Sequence, residues 1–163
     1  MLFKKSKPLK KPDDENHAYD YALFLLNISM RTEAELREKM EKRGYFPDII
    51  TKVVERLFKD RYLDDARYAE VYIESMKRSK YYGAYMMKKK LYEKKVPKEI
   101  MEEKLVELLT EEDEREIATR YVEKNFGKLK DVAKFEYDEK QKVMRRLMAR
   151  GFGLDLAKSL VGI

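Results

Sequence analysis

The residues most able to do chemistry lie between Lys77 and Lys95. Lys77, Arg78, Lys80, Lys88, Lys89, Lys90, Lys94 and Lys95 crowd this stretch, with Glu93 as its sole acid. Tyr81, Tyr82, Tyr85 and Tyr92 are interleaved among them. Lysines neutralise phosphates and tyrosines stack or pack at a ligand surface, so the pattern suits a polyanion or an acidic partner. A solvated lysine face above a tyrosine-containing core gives the same pattern, and both readings stand. No Asn or Gln occurs between Lys77 and Lys95, so readers of base edges are few and contact would be with backbone or protein. A second basic set comprises Lys140, Lys142, Arg145, Arg146 and Arg150; it binds an anion or pairs with the acidic run Glu111, Glu112, Asp113, Glu114 and Glu116.

Signatures of catalysis are missing. His17 has neither a second histidine nor any cysteine to form a dyad or zinc site. Asp64 and Asp65 are adjacent on a helix start, where side chains diverge instead of converging on a metal. The GxxxxGK[ST] phosphate loop does not occur. The expectation is a protein without enzymatic activity, cofactor or metal; any ATP belongs to a partner.

The elements that must position these groups are helical throughout. Of 163 residues, 42% are charged and the net charge is +6, so each helix can spare one apolar stripe. The absence of cysteine fits a reducing cytoplasm, and no apolar run is long enough to span a membrane. Residues 1–15, with Pro8, Pro12 and five lysines, are expected to form a flexible basic tail. Ala18, Tyr21, Ala22, Leu25 and Leu26 then set a helical stripe. Thr32 to Glu35 reads as a capping box, Gly44 as a glycine just past a helix end, and Pro47 as a first-turn proline.

Tyr62-Leu63-Asp64-Asp65-Ala66-Arg67-Tyr68-Ala69 opens the next unit: Asp64 caps a helix, Asp65 faces the positive end of its dipole, and Arg67 lies within reach of Asp64. Gly83 and Pro97 begin two further helices. The helix end Met40 to Tyr45 recurs at Leu91 to Val96 and at Leu147 to Phe152, which predicts three tandem repeats. Their boundaries are 16–61, 62–109 and 110–163, each repeat holding three helices. Thr110 to Asp113 caps the first helix of the third repeat, and Asp138 with Gln141 is expected to cap its second. The fold class is all-α, and shared apolar seams predict an elongated, curved body.

The order of Tyr21-Ala22-Leu23, Glu33-Ala34-Glu35-Leu36-Arg37, Lys42-Arg43-Gly44-Tyr45, the Tyr62 to Ala69 stretch and Arg150-Gly151-Phe152 resembles the RecX family, regulators of the bacterial RecA recombinase. The likeness covers roughly residues 17–160. It implies a non-enzymatic protein of three-helix repeats; the chain is expected to be cytoplasmic and monomeric. Such a protein lies in the groove of the RecA filament on DNA and suppresses ATP hydrolysis, strand exchange and coprotease activity, within DNA repair and the SOS response. The alternative is a helical protein that binds DNA without sequence preference and without RecA. Read from the basic and aromatic pattern and from the start of the middle repeat, the candidate partner or DNA contacts are Arg67, Tyr68, Lys77, Arg78, Lys80, Tyr81, Tyr82, Lys88, Lys89, Lys90, Arg145 and Arg146. Tyr62, Leu63, Asp64, Asp65, Gly44, Gly83 and Gly151 are structural. Tyr68 stands where the family commonly has phenylalanine. Lys95 replaces a helix-ending glycine, and its helix is expected to stop without a left-handed residue.

Overall fold

A computed structural model describes residues 9–163, which contain helices and connecting turns but no strand. Two compact units divide the chain after Tyr68.

The first unit is built on α1 (Glu15–Ile28), α2 (Glu33–Arg43) and α3 (Pro47–Lys59). Asp14 accepts the backbone N–H of His17 at 2.9 Å and starts α1. Thr32 accepts the backbone N–H of Glu35 while Glu35 accepts that of Thr32, so the predicted capping box forms and satisfies two donors that the helix leaves open. The three apolar stripes meet on Ala22, Leu36, Met40, Ile50, Val53 and Leu57, all essentially excluded from water. Removing the Leu36 or Leu57 side chain would leave a cavity in this small core, at a cost of about 2–5 kcal/mol. Leu9 packs against the same cluster, and the Pro12 carbonyl accepts the Phe46 N–H at 3.1 Å. Residues 9–14 are therefore anchored, which corrects the expected tail: leucine finds an apolar site and proline retains a carbonyl acceptor. Residues 1–8 of that tail lie outside the described residues.

The second unit contains most of α4 (Asp65–Ser79), then α5 (Ala84–Glu93), α6 (Lys98–Leu108), α7 (Glu111–Phe126), α8 (Leu129–Val132), α9 (Tyr137–Ala149) and α10 (Leu154–Val161). The third repeat thus carries one helix more than expected. Four residues are too few to show a period, but Val132 is fully buried and pins α8 in place. Glu136 and Glu139, not Asp138 and Gln141, cap α9; the Glu136 N–H donates to Glu139 at 3.1 Å. The middle and third repeats therefore share one unit.

Four interhelical ends use the same reversal. After α2, the Gly44 and Tyr45 N–H groups donate back to Glu41 and Met40; after α9, Gly151 and Phe152 donate to Met148 and Leu147. Both glycines have positive φ, +105° and +88°, as this ending requires. After α5, Lys95 and Val96 donate to Tyr92 and Leu91 in the same way, and Lys95 adopts φ +58°. The expectation of a stop without a left-handed residue is thus corrected: burying Val96 demands the same turn, whichever side chain stands at position 95. Arg61 does likewise after α3, at φ +61°.

Gly83 meets the end of α9 through backbone alone. Its N–H donates to the Arg150 carbonyl at 3.0 Å, and the Tyr85 N–H donates to that of Gly151 at 3.2 Å. A Cβ on Gly83 would lie 2.5 Å from the Gly151 oxygen and 2.6 Å from the Phe152 nitrogen. Close approach therefore requires glycine at this position.

Candidate nucleic-acid and partner interface

Helix α5 sorts its residues by face. Met87 and Leu91 are fully buried, whereas Tyr85 and Tyr92 are 73% and 74% exposed, with exposed Lys88 and Lys89 between them. Positions 85, 88, 89 and 92 follow the helical period and form one stripe on a rigid element. Large exposed aromatics flanking two cations can stack on planar groups while the ammonium groups meet phosphate or carboxylate. Lys88 pairs across to Glu102 on α6 at 3.0 Å, with both side chains about half exposed, and holds the Glu102 carboxyl below its usual range. Exposed pairs of this kind contribute about 0–1 kcal/mol, so a stronger anion can displace Glu102. Lys90 bonds Glu93 at 2.7 Å; that bond raises the lysine pKa and lowers that of the carboxyl.

The other predicted contact residues divide. Lys77 is a structural strut, with its side chain only 19% exposed; it bonds Asp113 at 3.0 Å, Glu74 at 3.4 Å and the Leu108 carbonyl at 2.7 Å. Partial burial opposes its charge, but the acidic partners outweigh burial and leave its pKa raised. Asp113 is held at about 2, chiefly by the Thr110 hydroxyl and N–H and then by Lys77. Tyr81 is half-buried, tilted against Tyr121 with ring centres 5.9 Å apart and Lys124 above its ring at 5.1 Å. Tyr82 is also half-buried, whereas Arg78 and Lys80 are exposed. Tyr68 is buried and packs instead of presenting its ring, which corrects its assignment as a contact residue; Arg67 beside it is exposed.

Arg145 and Arg146 project from α9 into solvent. Several groups of the acidic run opposed to them in sequence are engaged elsewhere: Asp113 by Lys77, Glu114 by the Ala84 N–H at 2.7 Å, and Glu116 by Arg120 at 3.7 Å. Arg150 turns back over the Tyr121 ring, 5.1 Å from its centre.

The Asp64-Asp65 pair is structural. Asp64 accepts the Arg67 N–H at 2.9 Å, as its place at a helix start predicts. Asp65 is buried and accepts the Glu33 N–H at 2.8 Å, so one carboxylate serves the N-termini of α2 and α4 together. Burial raises its pKa, against the lowering effect of that bond. Among the described residues, no group of three or more His, Cys, Asp or Glu is placed to hold a metal ion, and no helix is long and apolar enough to cross a membrane.

Sequence reasoning named Tyr85 and Tyr92 only as part of the interleaved set. Their spacing around Lys88 and Lys89 was the available signal, but burial on the opposite face shows which tyrosines reach solvent.

Comparison with known proteins follows the same division into repeats. Models of the RecX first, second and third three-helix domains match residues 18–57, 64–105 and 111–161. The chain is 33% identical over 155 residues to the regulatory protein RecX of Clostridium perfringens strain 13, covering 95% of this chain and 72% of that protein. It is 31% identical over 147 residues to the regulatory protein RecX of Finegoldia magna, covering 90% and 71% of the two chains. The crystal structure of RecX from Lactobacillus salivarius superposes with a TM-score of 0.82 at 24% identity, over 92% of this chain and 96% of that one.

Proposed function

This chain belongs to the RecX family of regulatory proteins, and from that premise we propose that it regulates RecA by binding the RecA filament on DNA in its groove. Binding there suppresses filament ATPase, strand exchange and coprotease activity in the cytoplasm, and the chain contributes no catalysis of its own. The observation carrying this reading is the exposed Tyr85-Lys88-Lys89-Tyr92 stripe of α5. A filament on DNA offers phosphates and acidic side chains in repeating array, and a regulator that favours one filament geometry hinders the changes that accompany turnover. Arg145 and Arg146 supply further exposed cations on α9.

The test is the ATPase of RecA on single-stranded DNA, titrated with this protein and with a Lys88→Glu/Lys89→Glu variant. Inhibition by the native chain, at levels well below one per RecA protomer and shifted to about tenfold higher concentration in the variant, supports the reading. Unchanged ATPase at excess protein overturns it.

The same lysines favour a second reading, sequence-independent DNA binding without RecA. Affinity for an oligonucleotide that falls steeply with salt and is unaffected by RecA would select it.

A further inference from the structure

A pocket of about 190 Å³ in the first unit gathers three arginines that lie far apart in sequence: Arg31 before α2, Arg61 after α3 and Arg67 in the first turn of α4. Tyr62, Leu26 and Met30 complete most of its wall, and Asp64 is its one acid. One Asp64 oxygen already accepts the Arg67 N–H, so positive charge predominates in the lining. The Nε of Arg31 is buried and has no hydrogen-bond partner among the described residues. A charged donor removed from water without an acceptor is costly, so the Arg31 guanidinium is under-satisfied where it lines the pocket.

The remainder of the wall narrows the choice of anion. Tyr62 is 59% exposed and Met30 48%, and Ile28 close by in sequence is also exposed. Arginine, tyrosine and methionine are the side chains enriched at protein interfaces, from which lysine is depleted. The α5 stripe has the opposite cation, lysine, which suits phosphate as a point charge. A planar guanidinium beside apolar wall instead matches a carboxylate carried next to an apolar side chain. Arg61 also occupies its place at a conformational cost: it stands at φ +61° in a helix ending where Gly44 and Gly151 serve elsewhere in the chain.

We infer that this arginine pocket docks an acidic side chain flanked by an apolar residue on a protein partner, which, resting on the function proposed above, is RecA. The α5 stripe and this pocket are then separate contact surfaces of different chemistry.

Arg61→Gly tests the pocket without the ambiguity of unfolding, because glycine relaxes the left-handed residue while removing a guanidinium. Arg31→Gln/Arg67→Gln is the companion variant. Binding is measured by anisotropy to RecA assembled on single-stranded DNA and, separately, to a labelled oligothymidylate. The expected result is about tenfold weaker filament binding by both variants, oligothymidylate affinity unchanged, and a thermal midpoint for Arg61→Gly at or above that of the native chain. Equal loss on oligothymidylate makes the pocket a phosphate site and overturns the inference. Native-strength filament binding by both variants also overturns it. Failure of the native chain itself to bind filament sinks the proposed function, and the docking partner with it.

Discussion

Gly83→Ala places one methyl group where the backbones of the middle and third repeats touch. The added Cβ would sit 2.5 Å from the Gly151 oxygen and 2.6 Å from both the Gly151 carbonyl carbon and the Phe152 nitrogen. Backbone cannot swing aside as a side-chain tip can, so the start of α5 must withdraw from the end of α9. Withdrawal breaks the bonds from Gly83 to Arg150 and from Tyr85 to Gly151, worth about 1 kcal/mol each, and overpacking adds about 1–3 kcal/mol. The expected loss is about 3–5 kcal/mol, a large share of the 5–15 kcal/mol that holds most domains folded. Urea unfolding followed by far-UV circular dichroism measures it, and hydrogen exchange at the Met87 and Leu91 amides locates it in α5. Gly153→Ala is the control: it also sits at a helix start, but nothing lies within 4 Å of its Cβ, so its cost should stay below about 1 kcal/mol. A Gly83→Ala protein within about 1 kcal/mol of native would refute the reasoning.

Substitutions at three further positions address a helix end and two acids. Lys95→Gly removes a left-handed lysine at φ +58° and should stabilise by about 0.5–1 kcal/mol, read as a higher urea midpoint; a lower midpoint would mean the lysine makes contacts worth more than the strain. Asp65→Asn keeps an oxygen for the Glu33 N–H and discards a buried charge, so its stability at pH 7 should equal or exceed native, whereas Asp65→Ala should lose about 1–2 kcal/mol; equal loss in both would show the charge itself is needed. Asp113 has a folded pKa of about 2, below its ordinary 3.8, so its ionisation stabilises above about pH 4, and that contribution is lost as pH falls toward 2. Solvent screening reduces it to about 1 kcal/mol; the gap between native and Asp113→Asn should therefore close over that interval in acid titrations, and a gap that persists at pH 2 counts against the assignment.

Helix ends and caps were the legible part of the sequence, because they are written within a few neighbouring residues. Thr32 with Glu35, Thr110 with Asp113, Gly44 and Gly151 all act where local chemistry puts them. Less legible was anything decided by distant chain. Lys77 reads like the lysines after it, yet Asp113 of the next repeat and the Leu108 carbonyl of its own draw it inward. Tyr68 has the same side chain as Tyr85, but one is buried and the other exposed because they fall on different helix faces. The Lys95 conformation was missed by weighing the side chain instead of the turn that buries Val96. The arginine pocket joins residues whose separation gives no periodic signal, and the α8 helix is shorter than any period that could announce it.

Sharing of one unit by the middle and third repeats changes how the proposed function can be dissected. Ending the chain near Leu109 would remove Asp113 from Lys77, Tyr121 from Tyr81 and the Arg150 carbonyl from Gly83. The truncated α5 would then begin with an open donor and lose the backbone surface it rests on, so weakened RecA binding could not be assigned to lost contact residues. Point changes on solvent-facing groups avoid this. Lys88→Glu/Lys89→Glu alters the α5 stripe, and Arg145→Glu/Arg146→Glu alters α9, without touching Gly83, Gly151 or the buried Met87 and Leu91. If the two surfaces bind one filament independently, their losses in binding free energy should add in the quadruple variant to within about 0.5 kcal/mol. A quadruple variant no weaker than the poorer double variant would mean that only one of these faces meets the filament.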